Sequence, residues 1–172
     1  MKNKISTTII IIFSLFVSVL GPNTAWAEYR VIDPSNFAKE KTAVLFLSEA
    51  LELPDGRFKI KLMVDTGGQS ANALLASLHF SNDIINIEEL NIDNSICDLF
   101  IENAFDNEQG FLNIICGKPF PGFNESSEVA EITFTKKIAG ETNFIFTEAM
   151  ILANDGYGTD ILLEAKDKNI IL

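Results

Sequence analysis

The sequence predicts an all-β sandwich, and three observations predict it. Several segments alternate polar and apolar residues with a period of two, most cleanly Arg57–Asp65. Turn-forming clusters of Gly, Pro, Asn and Asp recur about every 8–15 residues between those segments. No stretch sustains the 3.6-residue apolar stripe of a packed helix. The count comes to about nine short strands, enough for two sheets packed face to face.

Taken in order, the chain opens on Lys2 and Lys4, an apolar run Ile5–Leu20, a Gly21-Pro22 break and Ala25-Trp26-Ala27. A positive start, an apolar core and a small-x-small end are the marks of a secretory signal peptide, here residues 1–27. An uncleaved membrane anchor is the other reading of the same segment, and it is the only membrane contact expected. Residues 28–41 lack a clean period and contain Asp33-Pro34-Ser35-Asn36, as a leader or linker would. The sandwich is expected over 42–165 and a C-terminal tail over 166–172.

Within the domain Thr42–Ser48 reads as the first strand. Phe58, Ile60, Leu62 and Val64 turn inward from the second, while Arg57, Lys59 and Lys61 turn outward. Ala71–Phe80 is a long strand with Leu74, Ala76, Leu78 and Phe80 on one face and Ala73, Leu75, Ser77 and His79 on the other. Ile84–Ile92 could be a strand or one helical turn. Gly117–Ser127 is a loop by composition, Glu128–Lys136 a strand, and Thr142–Phe146, Met150–Leu152 and Ile161–Leu163 are short apolar runs.

Residues 97–116 have the form of a β-hairpin closed by its own cysteines. Folded about the bond between Asp106 and Asn107, Cys97 faces Cys116, Leu99 faces Ile114 and Ile101 faces Leu112. Those six residues make one apolar face, expected in the core. Asp98, Phe100, Glu102, Phe111, Asn113 and Ile115 then make the outer one. In an oxidising compartment two facing cysteines predict a disulfide between Cys97 and Cys116, with buried free thiols as the alternative.

Charge and chemistry narrow the function. The formal charge is −11, and removal of residues 1–27, with two lysines and no acid, leaves −13. So acidic a surface argues against nucleic acid and suits a secreted or extracytoplasmic protein. His79 is the only histidine and has no nucleophile signature beside it, so no catalytic residue and no enzyme activity is expected. One histidine and two cysteines are too few for a zinc site. The loop Asn154–Asp160 does not fit the spacing of an EF-hand, and a structural turn is the simpler reading; no metal and no cofactor is expected. The only Trp leaves with the signal peptide, and Tyr29 and Tyr157 are the only tyrosines, a poor set for stacking on sugar rings; Phe120 and Phe123 in the loop could add to it.

The order of these pieces resembles the cohesin family of bacterial cell-surface and cellulosome systems. The pieces are F-K-I-K-L-M-V-D, then A-L-L-A-S-L-H-F-S-N-D-I-I-N-I-E-E-L, G-F-L-N-I-I-C-G, V-A-E-I-T-F-T with A-G-E-T-N-F-I-F, and I-L-A-N-D-G-Y-G-T-D-I-L. With the first strand that leads into them, the resemblance covers roughly Thr42–Glu164. The resemblance implies a nine-stranded jelly-roll β-sandwich, and as partner a dockerin module on another secreted protein. In this family the partner docks on the outer face of the sheet that holds the third, fifth and sixth strands. Here that face would hold Leu75, Ser77, His79, Phe100, Glu102, Phe111, Asn113 and Ile115. Where many cohesins present Asn or Asp on the third strand, this chain has Ala73 and Leu75. The same fold also serves carbohydrate-binding modules, so polysaccharide is a possible ligand, and a structural domain of an adhesin or envelope assembly is a third expectation.

Overall fold

The computed structural model describes residues 40–172, and the expected signal peptide and nearly all of the expected leader lie outside them. Eleven strands follow one another: β1 (Ala43–Leu47), β2 (Leu51–Glu52), β3 (Arg57–Asp65), β4 (Ala71–Phe80), β5 (Ile85–Asn91), β6 (Leu99–Asp106), β7 (Phe111–Gly117), β8 (Ser127–Lys136), β9 (Glu141–Ala153), β10 (Leu162–Lys166) and β11 (Lys168–Ile171). One sheet runs β10-β1-β3-β8-β5, with β2 beside β3; the other runs β11-β9-β4-β7-β6. Every pairing is antiparallel except β1 with β10. The expected all-β, jelly-roll sandwich of about nine strands is the fold found, with two-residue β2 and C-terminal β11 as the surplus.

Alternation does most of this. In β3 Phe58, Ile60, Leu62 and Val64 are buried and each neighbour between them is not. β4 buries Leu74, Ala76, Leu78 and Phe80, as its pattern requires. Four phenylalanines join the layers. Phe58 stacks on Phe134 at 5.5 Å within the first sheet, Phe134 meets Phe144 edge-on at 5.9 Å, and Phe144 lies 6.1 Å from Phe80 in the second. Such offset and edge contacts add to the burial of large rings at the centre of the core.

Three expectations are corrected. The runs Thr142–Phe146 and Met150–Leu152 are one strand, β9, whose register slips where Ser77 pairs Glu148 and Leu78 pairs Phe146. The extra residue, Thr147, lets both Phe144 and Ile151 face the core, so the alternation breaks without the strand ending. Residues 166–172 are no tail. β11 pairs with β9, buries Ile170, and closes on Gly140, with Leu172 N–H donating to its carbonyl at 2.9 Å. The segment Lys166–Asn169 hides this strand because its residues are polar. One of them is useful, since Asp167 accepts the Phe146 N–H at 2.8 Å.

The third correction concerns the hairpin. β6 and β7 are paired, but Phe105 faces Leu112 and Asn103 faces Ile114, four residues from the expected register. The hairpin closes on the pair of Asp106 with Phe111, with residues 107–110 as its turn. Asp106 takes the N–H groups of Glu108 and Gln109 on its carboxylate, and its carbonyl takes that of Gly110. Gly110 has φ +70°, and a Cβ there would lie 2.7 Å from the Phe80 carbonyl oxygen. A second shift falls between Phe100 and Glu102, leaving Ile101 as the bulged residue. The bulge exchanges faces for what precedes it. Phe100 therefore pairs with Cys116 and packs against the core, while Leu99 and Ile101, expected inside, are 58% and 84% exposed.

The Cys97–Cys116 disulfide is present, with Cα atoms 5.9 Å apart and both residues buried. It does not join facing residues of the hairpin. Cys97 precedes β6, and the bond ties that connecting segment to the inner face of β7.

Candidate partner-docking face

The outer face of the second sheet is built from side chains that alternate away from the core on β9, β4, β7 and β6. Strand pairing sets them in cross-strand rows. In one row Met150, Leu75, Ile115 and Glu102 lie side by side; in the next come Glu148, Ser77, Asn113 and Ala104; in the third Ile145, His79, Phe111 and Asp106. Asn113 Nδ2 donates to Glu102 Oε1 at 3.1 Å, which draws Glu102 to the middle row. The face thus has a polar stripe, Glu148-Ser77-Asn113-Glu102, between the apolar group Met150-Leu75-Ile115 and a mixed row in which Ile145 and Phe111 alternate with His79 and Asp106.

Of the eight residues expected on this face, seven stand there together: Leu75, Ser77, His79, Glu102, Phe111, Asn113 and Ile115. Phe100 does not, because the Ile101 bulge turns it inward. Sequence reasoning missed the contribution of β9, where Met150 and Ile145 are 37% and 43% exposed. Their alternation was legible, but only the pairing of β9 with β4 places them beside Leu75 and His79. It also missed Leu99 and Ile101, which line an open groove of about 300 Å³ together with Ala73, Ile115, Gly117 and Pro119.

The outer face of the first sheet is different in kind. Lys61 pairs with Glu128 at 2.6 Å, Lys59 with Glu131, and Arg57 with Asp55 at 2.8 Å. Those charges are matched in pairs, while Glu89 on β5 has no ion pair among the described residues and Val44, Phe46 and Met63 lie half-buried on the same face.

Two other candidates resolve into structure. In the loop 154–160, Asp155 accepts the Tyr157 N–H at 2.8 Å and the Thr159 hydroxyl. Asp160 accepts Lys41 Nζ at 2.6 Å and the N–H groups of Leu162 and Ile151 at 3.0 and 3.3 Å. Desolvation pushes both carboxyls up, and these hydrogen bonds more than reverse it, so each lies below the ordinary carboxylate range. The carboxylates hold the turn itself. Phe123 is buried and bridges to Ala71, whereas Phe120 is 88% exposed on the same loop.

No family model matches the sequence, and no curated protein matches it. Solved structures do match in fold. A cohesin module of a family 33 glycoside hydrolase from Clostridium perfringens is 17% identical, over 76% of this chain and 97% of that one, with a TM-score of 0.58. The third ScaC cohesin of Acetivibrio cellulolyticus, solved in complex with the ScaB dockerin, is 14% identical over 76% and 99%, with a TM-score of 0.61. A non-cellulosomal cohesin from the archaeon Archaeoglobus fulgidus is 7% identical over 74% and 88%, with a TM-score of 0.56. Those structures share the fold of this chain with little shared sequence, and the domain described here has a cohesin-like jelly-roll β-sandwich fold.

Proposed function

We propose that this is an exported, non-catalytic binding module that docks a dockerin-type module of another protein on the outer face of the β11-β9-β4-β7-β6 sheet. The observation that carries the reading is the contrast between the two outer faces. The first carries three ion pairs, and the second sets Leu75, Met150 and Ile115 in one row and Ile145 and Phe111 in another, half-buried or exposed on either side of a polar row. Large apolar side chains grouped beside polar residues on an outer sheet face are characteristic of an interaction site. Structural neighbours of the same fold are solved as cohesin–dockerin complexes, which supports a protein partner over a small molecule. The cleavable leader read in residues 1–27 and the Cys97–Cys116 disulfide support export.

The test is a double substitution, Leu75→Ser with Phe111→Ser. Both side chains are half-buried on the outer face, so the change should lower stability by no more than about 2 kcal/mol and leave the fold intact by circular dichroism. Retention of a dockerin-bearing protein from the producing cell's secreted fraction should fall at least tenfold. Unchanged retention places the docking surface elsewhere.

A further inference from the structure

The polar stripe sets two carboxylates without cations beside the apolar residues of the face. Among the described residues neither Glu148 nor Glu102 has a lysine or arginine partner, and no lysine or arginine stands in the three rows. On the opposite face the equivalent acids, Glu128 and Glu131, are each matched by a lysine one strand away. Glu102 is half-buried and held by Asn113, so it keeps a fixed position; Glu148 is exposed at the other end of the stripe. The chain as a whole carries −11, which adds a long-range field of the same sign.

We propose that the protein docked on this face brings lysine or arginine side chains to Glu148 and Glu102, and apolar side chains to the bands on either side of them. This rests on the docking reading above and names the chemistry of the partner. The apolar residues of those bands supply the desolvated centre of the contact. Covering them with a partner of neutral or acidic surface would strip water from two carboxylates and give nothing back, a cost that selects against such partners. A cationic partner replaces that water with charge-assisted hydrogen bonds. It also associates faster at low ionic strength, because the acidic chain steers it. The groove lined by Ala73, Ile115 and Gly117 continues the Leu75 band and gives room for one large apolar side chain of the same partner.

The experiment begins with proteins of the secreted fraction retained by the immobilised protein, each identified by mass spectrometry and repurified. Those whose binding is lost with Leu75→Ser/Phe111→Ser are the ones that use this face. For these, binding is measured for wild type, Glu148→Gln, Glu102→Gln and the double variant, between 50 and 500 mM NaCl. The expected result is a loss of about tenfold in affinity for each carboxylate removed and a shallower salt dependence for each variant. Glu148→Lys should lose more than Glu148→Gln. Binding that requires Leu75 and Phe111 but is indifferent to both glutamates and to salt overturns the charge proposal and leaves the docking face standing. If no retained protein depends on Leu75 and Phe111, the docking reading itself fails, and the charge proposal falls with it.

Discussion

Neighbouring residues in β6 have opposite fates, and the difference is one of backbone registry. Phe100 and Ile101 are both large and apolar, and alternation alone assigns Ile101 to the core and Phe100 to the surface. The bulge at Ile101 reverses them. Nothing in the local composition announces it, since a bulge is a matter of which N–H finds which carbonyl across the pair. Phe100→Ala should therefore cost about 1–2 kcal/mol, the loss expected for a half-buried ring that packs on the core. Ile101→Ala, at a position 84% exposed, should stay within about 0.5 kcal/mol of wild type. Urea unfolding of the two variants checks both, and the reverse order of costs would restore the symmetric hairpin. The identity of the disulfide partners was legible at this scale, because export and two cysteines leave one pairing. Its geometry was not, because Cys97 lies outside the strand that the sequence assigned to it.

At the scale of elements, strands with an unbroken period of two were legible to the residue. β3 and β4 have the bounds their alternation gives. What was missed lies where alternation is interrupted or where polar residues make a strand. β9 reads as two runs because Thr147 is bulged, and Thr147 Oγ1 secures the irregularity by donating to the Ser77 carbonyl at 3.2 Å. β11 reads as a tail because only Ile170 among its four residues is buried. The connection between β9 and β10 carries a pH dependence. Asp160 receives Lys41 and two backbone N–H groups, and its pKa is lowered in the folded state. A carboxyl with a depressed folded pKa contributes stability above its unfolded pKa, about 3.9. That contribution is lost as pH falls through the lower folded value. Wild type should thus lose thermal stability faster than Asp160→Asn as the pH falls below about 4, the two curves converging at low pH. Parallel curves over that window would show that Asp160 does not anchor the loop.

At the scale of the molecule, the sequence spends its aromatic residues on the interior. Phe58, Phe80, Phe134 and Phe144 link the two sheets, and Phe100, Phe105 and Phe146 pack around them. Among the described residues, Phe111 is the one phenylalanine, tyrosine or tryptophan in the three outer rows of the second sheet. A polysaccharide-binding sandwich needs a flat row of exposed rings spaced to meet successive sugars, since stacking supplies most of its contact area. Among the described residues the other exposed rings, Phe120 and Tyr157, stand on loops rather than in a strand row. The outer face instead offers aliphatic residues and a carboxylate stripe, a surface suited to protein side chains. In native affinity gels containing cellulose, xylan or chitin the protein should migrate as it does without polymer. Retardation that disappears with Phe120→Ala or Tyr157→Ala would move the function to the loops and to carbohydrate. Retardation that disappears only with Leu75→Ser/Phe111→Ser would keep the face and change its ligand.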